Sequence, residues 1–356
     1  MKITPPWSRR RATHPASVTF CPASDARNEP AAWLRSTHTP HLKGIVSGAT
    51  SDQSRGGNFG AIDTHIALVG PGAVGTTVAA LLHAAGHPVL LCGRTPREQI
   101  ELRPDGADPI VVPGPVCTDP AEITTAADVV VLAVKATQND AARGWLARLC
   151  DERTVVAVLQ NGVEHIERVR PHCPSSAIVP GIVWFSAETH PQGWVRLRGE
   201  ARLVLPTGAA AATIAELLRS AGCTVDCDPD FTTAAWRKLL ANAVAGLMAL
   251  SGRRSGMFRR TDVAALARRY VAECLAAARA EGARLGDEVA AELVEMFRRA
   301  PADMGTSMLA DREAGRPLEW DIRNGVIIRK ARTHGLATPI SEVVVPLLAA
   351  ASDGPG

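Results

Sequence analysis

From residue 65 onward, short continuous apolar runs stand between turn signals, and beyond residue 230 only a helical pattern persists. The runs at 65–69, 89–92, 127–134, 154–159, 177–179, 181–185 and 201–205 have strand length, whereas 194–198 alternates apolar and basic residues. Continuous apolar runs of this kind are typical of strands buried on both faces, so a largely parallel sheet is predicted to run through this whole region. Asp228-Pro229-Asp230 then breaks the chain. After it, Trp236, Leu239, Leu240, Ala243 and Leu247 recur at helical spacing, and further helical patterns follow at about 262–285 and 287–299. The expected fold is α/β: a Rossmann-type doubly wound sheet over 61–228, followed by an all-helical domain over 229–352.

Residues 1–60 carry neither period and are rich in Pro, Ser, Thr, Arg and Gly. Too little apolar surface is available there to offset the entropy of ordering, so the segment is expected to be disordered. It lacks the continuous apolar core of a secretory signal; a start site assigned too far upstream, or a dispensable tail, explains it more simply than targeting.

Composition narrows the function. With 356 residues, 46% hydrophobic and 21% charged, the chain can fill two cores. Its 39 basic and 36 acidic residues leave a net charge of +3, far from the footprint of a nucleic-acid binder. No apolar run reaches membrane-spanning length without a charge. Eight cysteines, with no CxxC pair and no clustered histidine, argue against a metal site or a disulfide framework, and for reduced thiols in a cytoplasmic protein.

The first apolar run is followed at once by Gly70-Pro71-Gly72-Ala73-Val74-Gly75 and an Ala/Leu-rich helix, which is G-x-G-x-x-G in its strand-turn-helix context. Gly70 permits the tight turn, Gly72 lets backbone approach a pyrophosphate, and Gly75 lets helix and strand pack closely, with the helix N-terminus aimed at the phosphates. The second strand ends in Gly93-Arg94, where a NAD-selective site would carry a carboxylate for the ribose 2′-hydroxyl. Arg94 suits a 2′-phosphate instead, so NADP(H) is expected rather than NAD. Two later strands deliver Lys135 and Gln160-Asn161-Gly162 to the same carboxyl edge, where ligands bind in such sheets.

In the helical half, Lys238, Asn242 and Gly246 recur every four residues on one face. Should that face meet the sheet edge, Lys238 and Asn242 become carbonyl-directed donors in a cleft. Only five residues of the chain are Lys, the other basic residues being Arg, so a Lys in a motif carries some chemical information. Pro317 suits a helix start, which would leave the Glu319 carboxylate available near that helix's N-terminus.

Taken together, four stretches make residues 66–348 resemble the ketopantoate reductase (2-dehydropantoate 2-reductase) family: Gly70 to Gly75; Val134-Lys135-Ala136 with Gln160-Asn161-Gly162; Trp236-Arg237-Lys238-Leu239-Leu240-Ala241-Asn242; and Ser307-Met308-Leu309 through Glu319-Trp320-Asp321 to Asn324-Gly325. The glycine loop is common to many dehydrogenases, whereas the last two stretches in this order are far more specific. The resemblance implies NADPH-dependent reduction of a 2-keto acid in pantothenate biosynthesis. It further implies Lys238 as general acid, Glu319 as the carboxylate contacting the substrate hydroxyl, and Asn161, Asn242 and Ser307 as substrate or cofactor contacts. By the same matching, Lys135 lies near the nicotinamide and ribose, and Arg94 contacts the 2′-phosphate. A free Lys titrates at about 10.4, so burial or a second cation, with Lys135 the expected one, has to bring Lys238 nearer neutrality.

This chain departs from the family pattern at Gly246, where a second Asn is common, and at Met304, where a polar residue is frequent. Both are expected to touch the substrate end distal to the carbonyl and to favour a more apolar keto acid. The rival readings are a paralogue acting on another 2-keto acid and a non-catalytic NADP-binding sensor. An apolar helical domain is compatible with a homodimer.

Overall fold

A computed structural model describes residues 64–354; the expected disordered extension, 1–60, lies outside the described residues. Strand β1 (Ile66–Val69) turns through the glycine loop into helix α1 (Ala73–Ala84), and β2 (Val89–Cys92) follows. The chain continues through β3 (Gln99–Pro104), β4 (Ile110–Pro113), β5 (Val129–Leu132), α2 (Arg143–Leu149), β6 (Val155–Val158), α3 (His165–Val169) and β7 (Ala177–Pro180). Next come β8 (Ile182–Val183), β9 (Ser186–Thr189), β10 (Val195–Arg198), β11 (Arg202–Pro206), α4 (Ala209–Ser220) and β12 (Thr224–Asp228).

The central sheet has the order β2-β1-β5-β6-β7, and its pairs are parallel. β1 and β5 are buried throughout, as continuous apolar runs require. Alternate residues feed opposite layers: Leu68 and Val131 pack with α1 and α4, while Val69, Val130 and Leu132 pack with Trp145 and Leu146 of α2. From β1 the sheet grows to one side with β2 and to the other with β5, β6 and β7, which makes the gap above the carboxyl ends of β1 and β5 the topological switch point where such folds bind ligands.

The expectation of one continuous sheet is corrected. β9 and β10 join β3 and β4 in a four-stranded sheet, and β8, β11 and β12 form a third. The physical reason lies in their faces: β10 buries Val195 and Leu197 but exposes Arg196 and Arg198, the signature of a sheet solvated on one side. At Gly181 the chain also passes so close to Leu159 that an added Cβ would sit 2.6 Å from its side chain. Strands β3, β4 and β12 and helix α4 had no counterpart among the sequence expectations.

Beyond β12 the described chain is helical. α5 (Phe231–Ser251), α6 (Thr261–Ala280), α7 (Glu288–Arg299), α8 (Ser307–Glu313), α9 (Val326–Thr333) and α10 (Ser341–Asp353) enclose a core around Leu240, Val244, Tyr270 and Leu348. A π-helical turn, Asp321–Gly325, leads into α9. No described helix is long and apolar enough to cross a membrane.

The glycine loop is packed as its pattern demands. Gly70 has φ +97°, and a Cβ there would meet Val134; a Cβ on Gly75 would lie 2.2 Å from the Gly70 carbonyl oxygen. Gly72 by contrast faces open space. We expect Gly75→Ala to force α1 off β1, costing about 1–3 kcal/mol and at least about tenfold in dinucleotide affinity. Thermal denaturation and a cofactor-fluorescence titration check this, and an unchanged melting temperature would refute the packing account.

Candidate active site

The sheet edge supplies the first groups. β6 ends at Gln160-Asn161-Gly162; Gln160 donates to the Val134 carbonyl (3.0 Å) and to Asn139 Oδ1 (2.6 Å), which locks the ends of β5 and β6 together. Gly162, at φ +106°, turns the chain beneath Ile322 of the helical half. This leaves Asn161 half-buried, its Nδ2 donating to Glu319 Oε2 at 3.0 Å.

Helix α5 supplies the second group. Lys238 and Asn242, one turn apart, line the same cavity as Asn161, Gly162 and His165. The volume open to a water-sized sphere is about 10 Å³, room for roughly one water. Lys238 Nζ donates to the Val183 carbonyl (2.5 Å) and lies 5.4 Å from the Trp184 ring centroid. The Asn242 amide makes no hydrogen bond among the described residues, leaving it free for a ligand. His165 is buried, with Nε2 3.0 Å from the Gln160 carbonyl; that nitrogen therefore carries the proton, and burial, aided by Lys238, holds the ring's pKa down.

Burial also pulls the Lys238 ammonium down to about 7; Arg323 adds repulsion, and Glu319 opposes both. The second cation is thus Arg323. Lys135, expected in that role, is instead ion-paired to Asp311 of α8 at 2.7 Å, and Asp311 also holds Arg316 at 2.9 Å. Nor is Glu319 a solvated helix-start carboxylate. It is buried, receiving Asn161 and the Arg323 guanidinium (Nη2, 3.0 Å), with the two charged side chains 6% and 4% exposed. The same Arg323 nitrogen donates to Ser307 Oγ at 3.0 Å. Ser307 itself is exposed at the start of α8.

The cofactor end can be assessed residue by residue. α1 begins at Gly72 with no side-chain cap and no acidic residue in its first turn, so its N-terminal N–H groups suit an anion. Open space at Gly72 leaves room for a phosphate to approach the backbone there. Arg94 is exposed just past β2, in a loop whose Gly93 packs against Pro71, and it makes no ion pair among the described residues. These residues fit a dinucleotide bearing a 2′-phosphate. Among the described residues no cluster of His, Cys, Asp or Glu is arranged to hold a metal.

Comparison with known proteins settles the kinship. A family model described as "Ketopantoate reductase PanE/ApbA" matches residues 66–225, and its C-terminal counterpart matches 230–352. The chain belongs to the ketopantoate reductase family. The 2-dehydropantoate 2-reductase of Mycobacterium tuberculosis is 78% identical over 293 residues, 82% of this chain and 99% of that protein. The Caulobacter vibrioides enzyme of the same name is 38% identical over 291 residues, 81% and 99% of the two chains. A dimeric ketopantoate reductase from Staphylococcus aureus shares the fold with a TM-score of 0.74 at 26% identity, over 82% of this chain and all of that one.

Within the family frame, the two departures have a different meaning from the one expected. Gly246 does not face the cavity. It is buried against Asn324, whose Nδ2 donates to the Ala243 carbonyl (3.1 Å) and the Tyr270 hydroxyl (2.9 Å). A Cβ at Gly246 would lie 2.8 Å from that Nδ2, so the small residue makes room for the Asn324 amide. Met304 packs on the helical core. Neither position therefore argues for a more apolar keto acid. Sequence reasoning missed Arg323, Asp311 and His165; the Glu319–Arg323 spacing of four on one helical face was the signal that could have found the first.

Gly246→Ala is expected to cost about 1–3 kcal/mol by overpacking against Asn324, read as a lower midpoint in urea denaturation. The account is wrong if the midpoint does not move.

Proposed function

We propose that the protein reduces 2-dehydropantoate to pantoate with NADPH. The observation that carries this is the Lys238 ammonium set beside Asn161 and the unpartnered Asn242 amide on one cavity wall, at the edge of the sheet that carries the glycine loop. Family membership and the identity with 2-dehydropantoate 2-reductases support the choice of substrate. The glycine loop from Gly70 to Gly75, Arg94 and Asn161 would hold the cofactor; when bound, the reduced nicotinamide supplies the hydride to the substrate's 2-carbonyl carbon.

The chain's own residues do the rest. Reduction builds negative charge on the carbonyl oxygen, and the Lys238 ammonium stabilises that charge and gives up one proton to it, so that keto acid, hydride and proton balance to the 2-hydroxy acid. A pKa drawn down to about 7 makes that proton easy to release near neutral pH, while arginine could not serve as donor. Asn161 and Asn242 orient the carbonyl, Ser307 binds the acid end, and Glu319 accepts from a substrate hydroxyl. Lys135, held by Asp311, keeps a cation near the nicotinamide and ribose.

Because the protonated amine is the active form, kcat/KM for reduction falls as pH rises through about 7, whereas kcat/KM for oxidation of pantoate, which needs the free amine, rises over the same range. Lys238→Ala lowers kcat for reduction by about 10²–10⁴-fold and removes that limb. Steady-state NADPH oxidation across pH, on the wild type and the variant, is the test; a limb that survives the substitution assigns the acid elsewhere.

The same reading places the enzyme in the cytoplasm, supported by seven free cysteines among the described residues, and cell fractionation tests it. It also includes a homodimer, as the dimeric ketopantoate reductase of Staphylococcus aureus suggests. Sedimentation should give twice the chain mass, and a monomer at micromolar concentration removes this part of the reading.

A further inference from the structure

Arg323 makes only part of the hydrogen bonds that it can make. It is 3% exposed, yet both of its bonds, to Glu319 Oε2 and Ser307 Oγ, run through Nη2. Its Nε is buried with no hydrogen-bond partner, and Nη1 makes none among the described residues. A guanidinium carries five N–H donors, and leaving them unmet inside a protein is costly. The nearby carboxylates are otherwise engaged. Asp311 holds Lys135 and Arg316, and Asp321 holds Arg168 and Arg329. With Lys238 as the ammonium proton donor, two cations thus face one carboxylate, and the enclosed site carries an unbalanced positive charge.

We propose that Arg323 receives the carboxylate of the 2-keto acid, so that the preference for an acid over a neutral carbonyl compound resides in this residue. The proposal rests on the reductase reading above. Three observations converge on it. Nε and Nη1, the idle donors, sit on different edges of the guanidinium, and each can give a carboxylate a charge-assisted hydrogen bond. The Ser307 hydroxyl, bonded to the same guanidinium, lies on the exposed side and gives the anion both a further partner and a way in. Finally, Asn161 and Arg323 donate to the same Glu319 oxygen, and Asn161 lines the cavity of Lys238. Carboxylate and carbonyl receptors are therefore neighbours, as the adjacent carboxylate and carbonyl carbons of a 2-keto acid require.

The experiment compares wild type, Arg323→Leu and Arg323→Lys in two assays. The first is kcat/KM for the keto acid against its neutral amide. The second is calorimetric titration of the NADP-loaded enzyme with oxamate, an unreactive 2-oxo acid analogue, and with neutral oxamide. We expect Arg323→Leu to slow both reductions, because Glu319 loses its partner and Lys238 its neighbouring cation, but to cost about 100-fold more on the acid than on the amide, with oxamate affinity falling and NADP affinity kept. Arg323→Lys, which retains the buried charge, carries the test if the Leu variant does not fold; it should lose about tenfold more on the acid than on the amide. Equal losses on acid and amide, or an acid preference that survives both substitutions, overturn the proposal. A wild type that turns over neither compound overturns the reductase reading instead, and the oxamate titration then still decides what Arg323 binds.

Discussion

The buried pair of Glu319 and Arg323 is the constraint around which the site is built. Two charges taken out of water repay their desolvation only with good geometry and further hydrogen bonds, and an apolar pair of similar size would often be at least as stable. Here the extra bonds come from both halves of the chain: Asn161 from the sheet edge and Ser307 from the start of α8. The pair therefore fixes position more than it adds stability. It sets where the helical half presents its carboxylate relative to the strand end that delivers the Asn161 amide.

The other charges along this seam are arranged so that one cation is left without a counter-ion. Lys135 is neutralised by Asp311, and Glu164, Arg168, Asp321 and Arg329 form a closed network that joins α3 to the turn before α9. In that network the arginines hold Glu164 and Asp321 below the usual carboxylate range even though burial pushes both upward. Lys238 receives no such partner, only the Val183 carbonyl and the face of Trp184. Its proton is held weakly because burial and Arg323 act on it together while Glu319 compensates in part. An acid fit for work near neutral pH follows from which charges are paired, and not from the lysine alone.

Glycine usage shows the same dependence on neighbours. Gly75 admits the Gly70 carbonyl, which is a contact within one short loop and could be read from a motif. Gly246 admits the side chain of Asn324, distant in sequence, and on the page of the sequence it looked like a gap in the substrate pocket. The first requirement is local and the second is not. Without the fold, the two glycines cannot be told apart.

Local order was legible from the residues. Continuous apolar runs, the strand-turn-helix glycine pattern and the 3.6-residue stripe of α5 are set by neighbours a few positions away, so they were read correctly, and with them the carboxyl edge that carries Lys135 and Asn161. Strand partnership was not legible: β10 and β11 look like further strands of one sheet, but which strands pair depends on surfaces brought together from distant segments. Ionic partnership was equally hidden. Nothing near Lys135 in the sequence points to Asp311, and nothing near Lys238 points to Arg323. A side chain's charge is a property of the sequence, whereas its energy depends on the dielectric and the counter-charges around it, which only the tertiary structure supplies.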